Sequence, residues 1–175
     1  GLMLCAHMDE VGLMVSAIEK SGHLRFYKVG GIYERYLVSK PVCIGANDVL
    51  GVIGAKAVHL QKKEEREKPL DAEKLYIDIG AKNKEDAEKV VKVGDYVSFW
   101  SEASSSANII KGKALDNRAG CAALLEILQR DYPISFTAVF TVQEEIGIRG
   151  ARVAAYRVNP RIALVIETTG AVDIP

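Results

Sequence analysis

At 175 residues, with 23 lysines and arginines against 23 aspartates and glutamates, the chain has the size of one ordinary domain or two small ones and no formal net charge. That balance argues against a nucleic-acid partner held by phosphate contacts, and 49% hydrophobic with 26% charged residues excludes disorder, collagen and coiled coil. The longest apolar runs reach about half of the roughly 20 residues a spanning helix needs, and no signal peptide opens the chain; the expectation is a cytoplasmic protein without a membrane partner.

The chain opens without a start methionine on the apolar run Leu2 to Ala6 and stops at Pro175 with no closing element, so it reads as a piece of something longer. From about Gly12 to Gly112 short β-type runs alternate with turn signals. Gly22, Gly30-Gly31, Gly45-Ala46-Asn47-Asp48 and Gly94-Asp95 separate segments such as Leu24 to Val29 and Tyr96 to Trp100, which suits a small barrel or sandwich. Asn83 can cap a short helix over 84–91, and the charged stretch Gln61 to Lys68 reads as a solvated loop or strand extension. His23 and His59 fall among these alternating residues and read as surface or structural histidines. Cys5, Cys43 and Cys121, an odd number at wide spacing, suit neither a disulfide framework nor a CxxC zinc site and are expected as small buried hydrophobes.

From Leu115 the period changes. Residues 117–130 place Cys121, Leu124, Leu125 and Leu128 on one helical stripe. Ile134 to Val142 follows as a strand, then a helix over 151–156, the turn Asn159-Pro160 and a strand over 162–166. Strands that are apolar continuously, like Leu2 to Ala6 as well, belong to a parallel sheet covered on both faces. The predicted architecture is therefore α/β: a partly parallel sheet with covering helices in residues 1–12 and 113–175, interrupted by an inserted small β-barrel domain in residues 13–112.

Each apolar strand runs into ionisable residues: His7, Asp9 and Glu10 after the first, Glu144 and Glu145 after the second, Glu167 after the third. Parallel sheets bind ligands beyond the carboxyl ends of their strands, where such side chains converge. Asp116, just before the helix, reads either as its N-cap or as a further member of this set. One imidazole with several carboxylates, without a serine nucleophile motif or a glycine-rich phosphate loop, suits divalent first-row metal ions. Two such ions about 3.5 to 4 Å apart would lower the pKa of a shared water to about 7 and polarise a carbonyl. Of the adjacent acids Glu144 and Glu145, one can hold metal while the other serves as general base, and His7-x-Asp9 suits a ligating imidazole oriented by a carboxylate.

Ala6-His7-Met8-Asp9-Glu10-Val11-Gly12, Ala114-Leu115-Asp116-Asn117-Arg118-Ala119-Gly120 and the segment Val142 to Ala151, in that order, resemble the glutamyl or deblocking aminopeptidase family of di-metal peptidases. Some members form tetrahedral assemblies and some have been labelled cellulases or endoglucanases. The resemblance implies a phosphorylase/hydrolase-like peptidase domain with an inserted dimerisation domain. It also implies peptide substrates, a homo-oligomer built from dimers, and two divalent ions, zinc with cobalt or manganese as alternatives. By the same resemblance His7, bridging Asp116 and Glu167 hold one ion, Asp116 and Glu145 hold the other, Glu144 is the general base and Asp9 orients His7. Glu167 stands where many relatives have Asp, and the family's second metal-binding histidine is expected beyond Pro175.

The function expected is metal-dependent aminopeptidase hydrolysis through a metal-bound water. The alternatives are an endoglucanase-type glycosidase, which needs only two carboxyls, and a catalytically silent oligomerisation fragment. Metal analysis of the 175-residue chain alone should find one ion held better than a second; two equally tight equivalents would contradict the ligand set.

Overall fold

In the computed structural model, which describes residues 1–61, 63 and 71–171, the elements run β1 (Leu2–His7), β2 (Gly12–Ile18), β3 (Leu24–Val29), β4 (Pro41–Ile44), β5 (Val49–Gly54) and β6 (Tyr76–Asp78). There follow α1 (Lys84–Ala87), β7 (Tyr96–Phe99), β8 (Ser104–Ser106), β9 (Ile109–Lys111), α2 (Leu115–Leu128), β10 (Phe136–Thr141), α3 (Arg149–Val158) and β11 (Ile162–Val165). They form a mixed α/β chain of two compact units, Gly1–Glu10 with Glu102–Pro175, and Val11–Ser101. Among the described residues no helix is long and apolar enough to cross a membrane.

The second unit is a closed antiparallel barrel, β2-β3-β6-β5-β4-β7, with β7 pairing back onto β2. Of the barrel and the sandwich that the short strands allow, the chain forms the barrel. Alternation supplies its interior: Leu13 and Val15 of β2 point inward while Met14 stays outside. An irregularity between Val15 and Ala17 then shifts the register, which brings Ile18 inward although it breaks the strict period of two. Leu24 and Ile77, directly paired across β3 and β6, are both fully buried. Asn83 caps α1 as expected, its side chain accepting from the Asp86 amide at 2.9 Å. The helix ends at Ala87, short of residue 91, where the Val90 amide turns to the Ala87 carbonyl. Apart from residues 61 and 63, the charged stretch Gln61 to Lys68 lies outside the described residues. His23 is half-buried, hydrogen-bonded to Ser21 and packed on Tyr76; His59 is exposed.

In the first unit β1 lies between β10 and β11, parallel to both, so the three strands end at one edge. The hairpin β8–β9 belongs to this unit. The expectation that continuous apolar strands are covered on both faces holds for β1, buried from Met3 to His7, and not for β11, whose Ile162, Leu164 and Val165 are exposed at the sheet edge. Helix α2 packs Cys121 and Leu124 against Leu4 and Ala6. Its buried face runs Asn117, Gly120, Cys121, Leu124, while Leu125 and Leu128 are exposed, a rotation from the expected stripe. Gly120 explains the rotation: a Cβ there would come within 2.8 Å of the Ile166 carbonyl, so the glycine marks the close-approach face that apolarity alone misses. Cys5 and Cys121 are buried and Cys43 half-buried, all as free thiols.

Truncating Ile77 to alanine removes a fully buried side chain and should lower the unfolding free energy by about 2–5 kcal/mol, whereas Ile110→Ala on the exposed hairpin should stay within about 0.5 kcal/mol. Chemical denaturation of the two variants checks this.

Candidate metal centre

His7 closes the central strand and is 3% exposed. Its backbone is held in the sheet opposite Thr141, the Met8 amide donates to the Thr141 carbonyl at 2.8 Å, and the Cys121 thiol donates to the His7 carbonyl at 3.1 Å. With the main chain fixed, the imidazole has one orientation to settle. Nδ1–H donates to the Asp9 backbone carbonyl at 3.1 Å, which turns Nε2 to the strand ends.

Around Nε2 stand Asp116 Oδ1 at 3.2 Å, Glu167 Oε1 at 3.4 Å and Glu144 Oε2 at 3.8 Å. These carboxylates arrive from the helix entrance, from the residue following Ile166, and from the turn after β10. The ligand atoms of His7, Asp116 and Glu167 lie within 4.8 Å of one another, as do those of His7, Glu144 and Glu145. Apart from Glu10, the histidine and acids singled out at the strand ends, with Asp116, are thus in one cluster. Glu10 is instead paired with Lys113.

Asp9 has two attachments. Its backbone carbonyl takes the His7 proton, and its carboxylate accepts from the Glu144 and Glu145 amides, one oxygen to each, both at 3.1 Å. A single residue thereby ties the turn carrying both glutamates to the strand carrying the imidazole. The carboxylate also approaches Nδ1 to 3.5 Å.

The electrostatics reflect crowded acids. For His7 burial is the largest influence and pushes the pKa down, but the charges of Glu167, Glu144 and Asp9 and the bond to the Asp9 carbonyl together raise it above the ordinary value. Burial, then the charges of Asp116 and Glu144, hold the Glu145 carboxyl above the usual range. The doubly protonated ring answers that crowding by donating Nε2–H to Asp116 Oδ1 at 3.2 Å, whereas in the neutral form with its proton on Nδ1 the Nε2 lone pair faces the carboxylates and suits a cation among them. A borderline divalent ion meets that need, since imidazole and carboxylate are its ordinary ligands.

Asp116 is not the helix cap. The backbone at Asp116 and Asn117 departs from helical geometry, and Asn117 supplies the capping acceptor, its Oδ1 taking the Gly120 amide at 3.1 Å. The Asp116 carboxylate is left free to face His7. Sequence reasoning passed over Asn117, and also Arg118, whose Nε donates to the Met8 carbonyl at 2.7 Å. The signal for Asn117 as a cap was present in Asp116-Asn117-Arg118, where a second polar cap candidate immediately follows the acid, whereas nothing local marked the Arg118 bond to Met8.

The chain is 44% identical over 180 residues to a protein of Acetivibrio thermocellus named "Putative aminopeptidase", covering 99% of this chain and 52% of that protein. The TET aminopeptidase from the marine sediment archaeon Thaumarchaeota archaeon SCGC AB-539-E09 superposes with a TM-score of 0.93 at 38% identity, over 99% of this chain and 52% of that one. A structure described as an endoglucanase from Thermotoga maritima superposes with a TM-score of 0.80 at 39% identity, over 99% of this chain and 50% of that one. The chain spans about half the length of the curated relatives it matches. The model of the M42 glutamyl aminopeptidases matches residues 1–175, and the chain belongs to that family.

Proposed function

We propose that the chain carries the metal-binding part of an aminopeptidase that removes N-terminal residues from peptides. The observation that carries this reading is the buried His7 Nε2 facing Asp116, Glu167 and Glu144 at the shared end of three parallel strands. His7, Asp116 and Glu167 would hold one divalent ion and Glu145 the second, with Asp116 shared; zinc fits these donors, and cobalt or manganese could replace it. When bound, such ions polarise a carbonyl and make water acidic enough to ionise near neutral pH.

The remaining chemistry belongs to the chain. Glu144 acts as general base: its carboxylate accepts a proton from the water as the water oxygen bonds to the first peptide carbonyl carbon. It then delivers that proton to the amine nitrogen as the carbon–nitrogen bond breaks. Asp9 positions it, because the Glu144 amide hangs on the Asp9 carboxylate. Asp9 also keeps the His7 proton on Nδ1 through its own carbonyl. In the barrel unit, Met14 pairs with Tyr27 on one side and Tyr96 on the other, and all three are exposed. That outward apolar row supports a role for the barrel in assembling a homo-oligomer from dimers.

In the full-length protein, Glu144→Gln should leave the metal content as in the wild type and lower kcat by about 10²–10⁴-fold. Normal turnover would refute its role as base. Removal of metal by a chelator should abolish peptide hydrolysis, with recovery on adding zinc, cobalt or manganese. Chelator-resistant cleavage of a glucan in place of a peptide would establish a carboxylate-only glycosidase instead.

A further inference from the structure

Asn117 is fully buried, yet it belongs to none of the ligand or base positions. Its carboxamide has two ends and both are used. Oδ1 accepts from the Gly120 amide at 3.1 Å, and Nδ2 donates to the Ile166 carbonyl at 2.8 Å. The first bond caps α2; the second spans 49 positions of sequence and joins the residue next to Asp116 to the residue next to Glu167. The Ile166 amide is meanwhile anchored on the Cys5 carbonyl at 2.8 Å. The peptide leading into Glu167 is therefore gripped from the central strand on one side and from Asn117 on the other.

Gly120 gives an independent sign that this grip is built in. A Cβ at that position would lie 2.2 Å from Asn117 Oδ1 and 2.8 Å from the Ile166 carbonyl oxygen, so any side chain there would force both apart. The residue type at 117 is equally constrained. Serine could cap the helix but is too short to reach Ile166, and aspartate could cap it but in its ionised form has no proton to donate.

We propose that Asn117 is a positioning residue that sets the spacing between Asp116 and Glu167, and through it the affinity of the ion these carboxylates share with His7. The proposal rests on the ligand set given under Proposed function. Asp116 and Glu167 are both substantially exposed, so their carboxylates are held by their backbones rather than by packing. The Asn117 carboxamide is what couples those two backbones.

The test uses the full-length protein and zinc, with affinity read by competition against a chromogenic chelator and metal-free stability by thermal unfolding. Asn117→Ser keeps a capping acceptor and loses the reach to Ile166. It should weaken zinc binding about ten- to a hundred-fold, the range for groups that orient metal ligands, while the metal-free melting temperature falls by only about 2–8 °C, as the loss of one buried hydrogen bond entails. At saturating zinc its kcat should recover with KM unchanged. Should Asn117→Ser fail to fold, Asn117→Asp, of the same size and with the same capping oxygen, carries the measurement. Wild-type zinc affinity in whichever variant folds overturns the proposal. His7→Ala tests the underlying ligand set separately: if it too binds zinc as tightly as the wild type, the assignment of the ion to His7, Asp116 and Glu167 is what fails.

Discussion

The site depends on where one proton sits. His7 gives its Nδ1–H to the Asp9 carbonyl, and that donation aims the other ring nitrogen at three carboxylates. Buried imidazole nitrogens without partners are costly, and acids gathered without a counter-charge repel one another. A positive charge among them answers both, whether a second proton on the ring, donated to Asp116, or a metal cation in its place. The raised pKa values of His7 and Glu145 express the same tension from the two sides: base and acid alike hold protons more tightly than usual where the negative charge is crowded.

The chain divides labour between neighbours to keep this cluster in place. At the helix entrance Asn117 does the capping and Asp116 faces the site. After β10 the backbone amides of Glu144 and Glu145 are taken by Asp9, which leaves their carboxylates unencumbered. Beyond β11 the Ile166 backbone is tied on both sides and Glu167 extends from it. In each case main-chain bonds fix the position and the side chain is left free for chemistry.

Much of this was legible in the residues. Continuous apolar runs leading to His7, Glu144 and Glu167 gave the parallel strands and the edge at which the acids meet, because burial of a central strand demands apolarity on both faces. Alternation with turn glycines gave the β-rich region but left barrel and sandwich open, since closure depends on β7 pairing back onto β2, a long-range pairing that no local pattern carries. The face of α2 was misjudged toward Leu125 and Leu128 because hydrophobicity was followed where close approach at Gly120 decides. The bond from Asn117 to Ile166 and those of the Asp9 carboxylate were invisible for a related reason. A polar side chain declares its chemistry in sequence, but its partners, 49 and 135 positions away, are set by tertiary structure.

The central strand of the sheet, β1, precedes the barrel residues in the chain, and its two partners, β10 and β11, come only after them. During synthesis the barrel strands can pair among themselves as they emerge, whereas β1 has neither neighbour to join until more than a hundred further positions have left the ribosome. Pairing of β1 with β10 and β11 thus waits until an entire barrel has been made. The sheet that gathers the acids is therefore closed late in synthesis, by contacts of long sequence separation, after the barrel strands can already have paired.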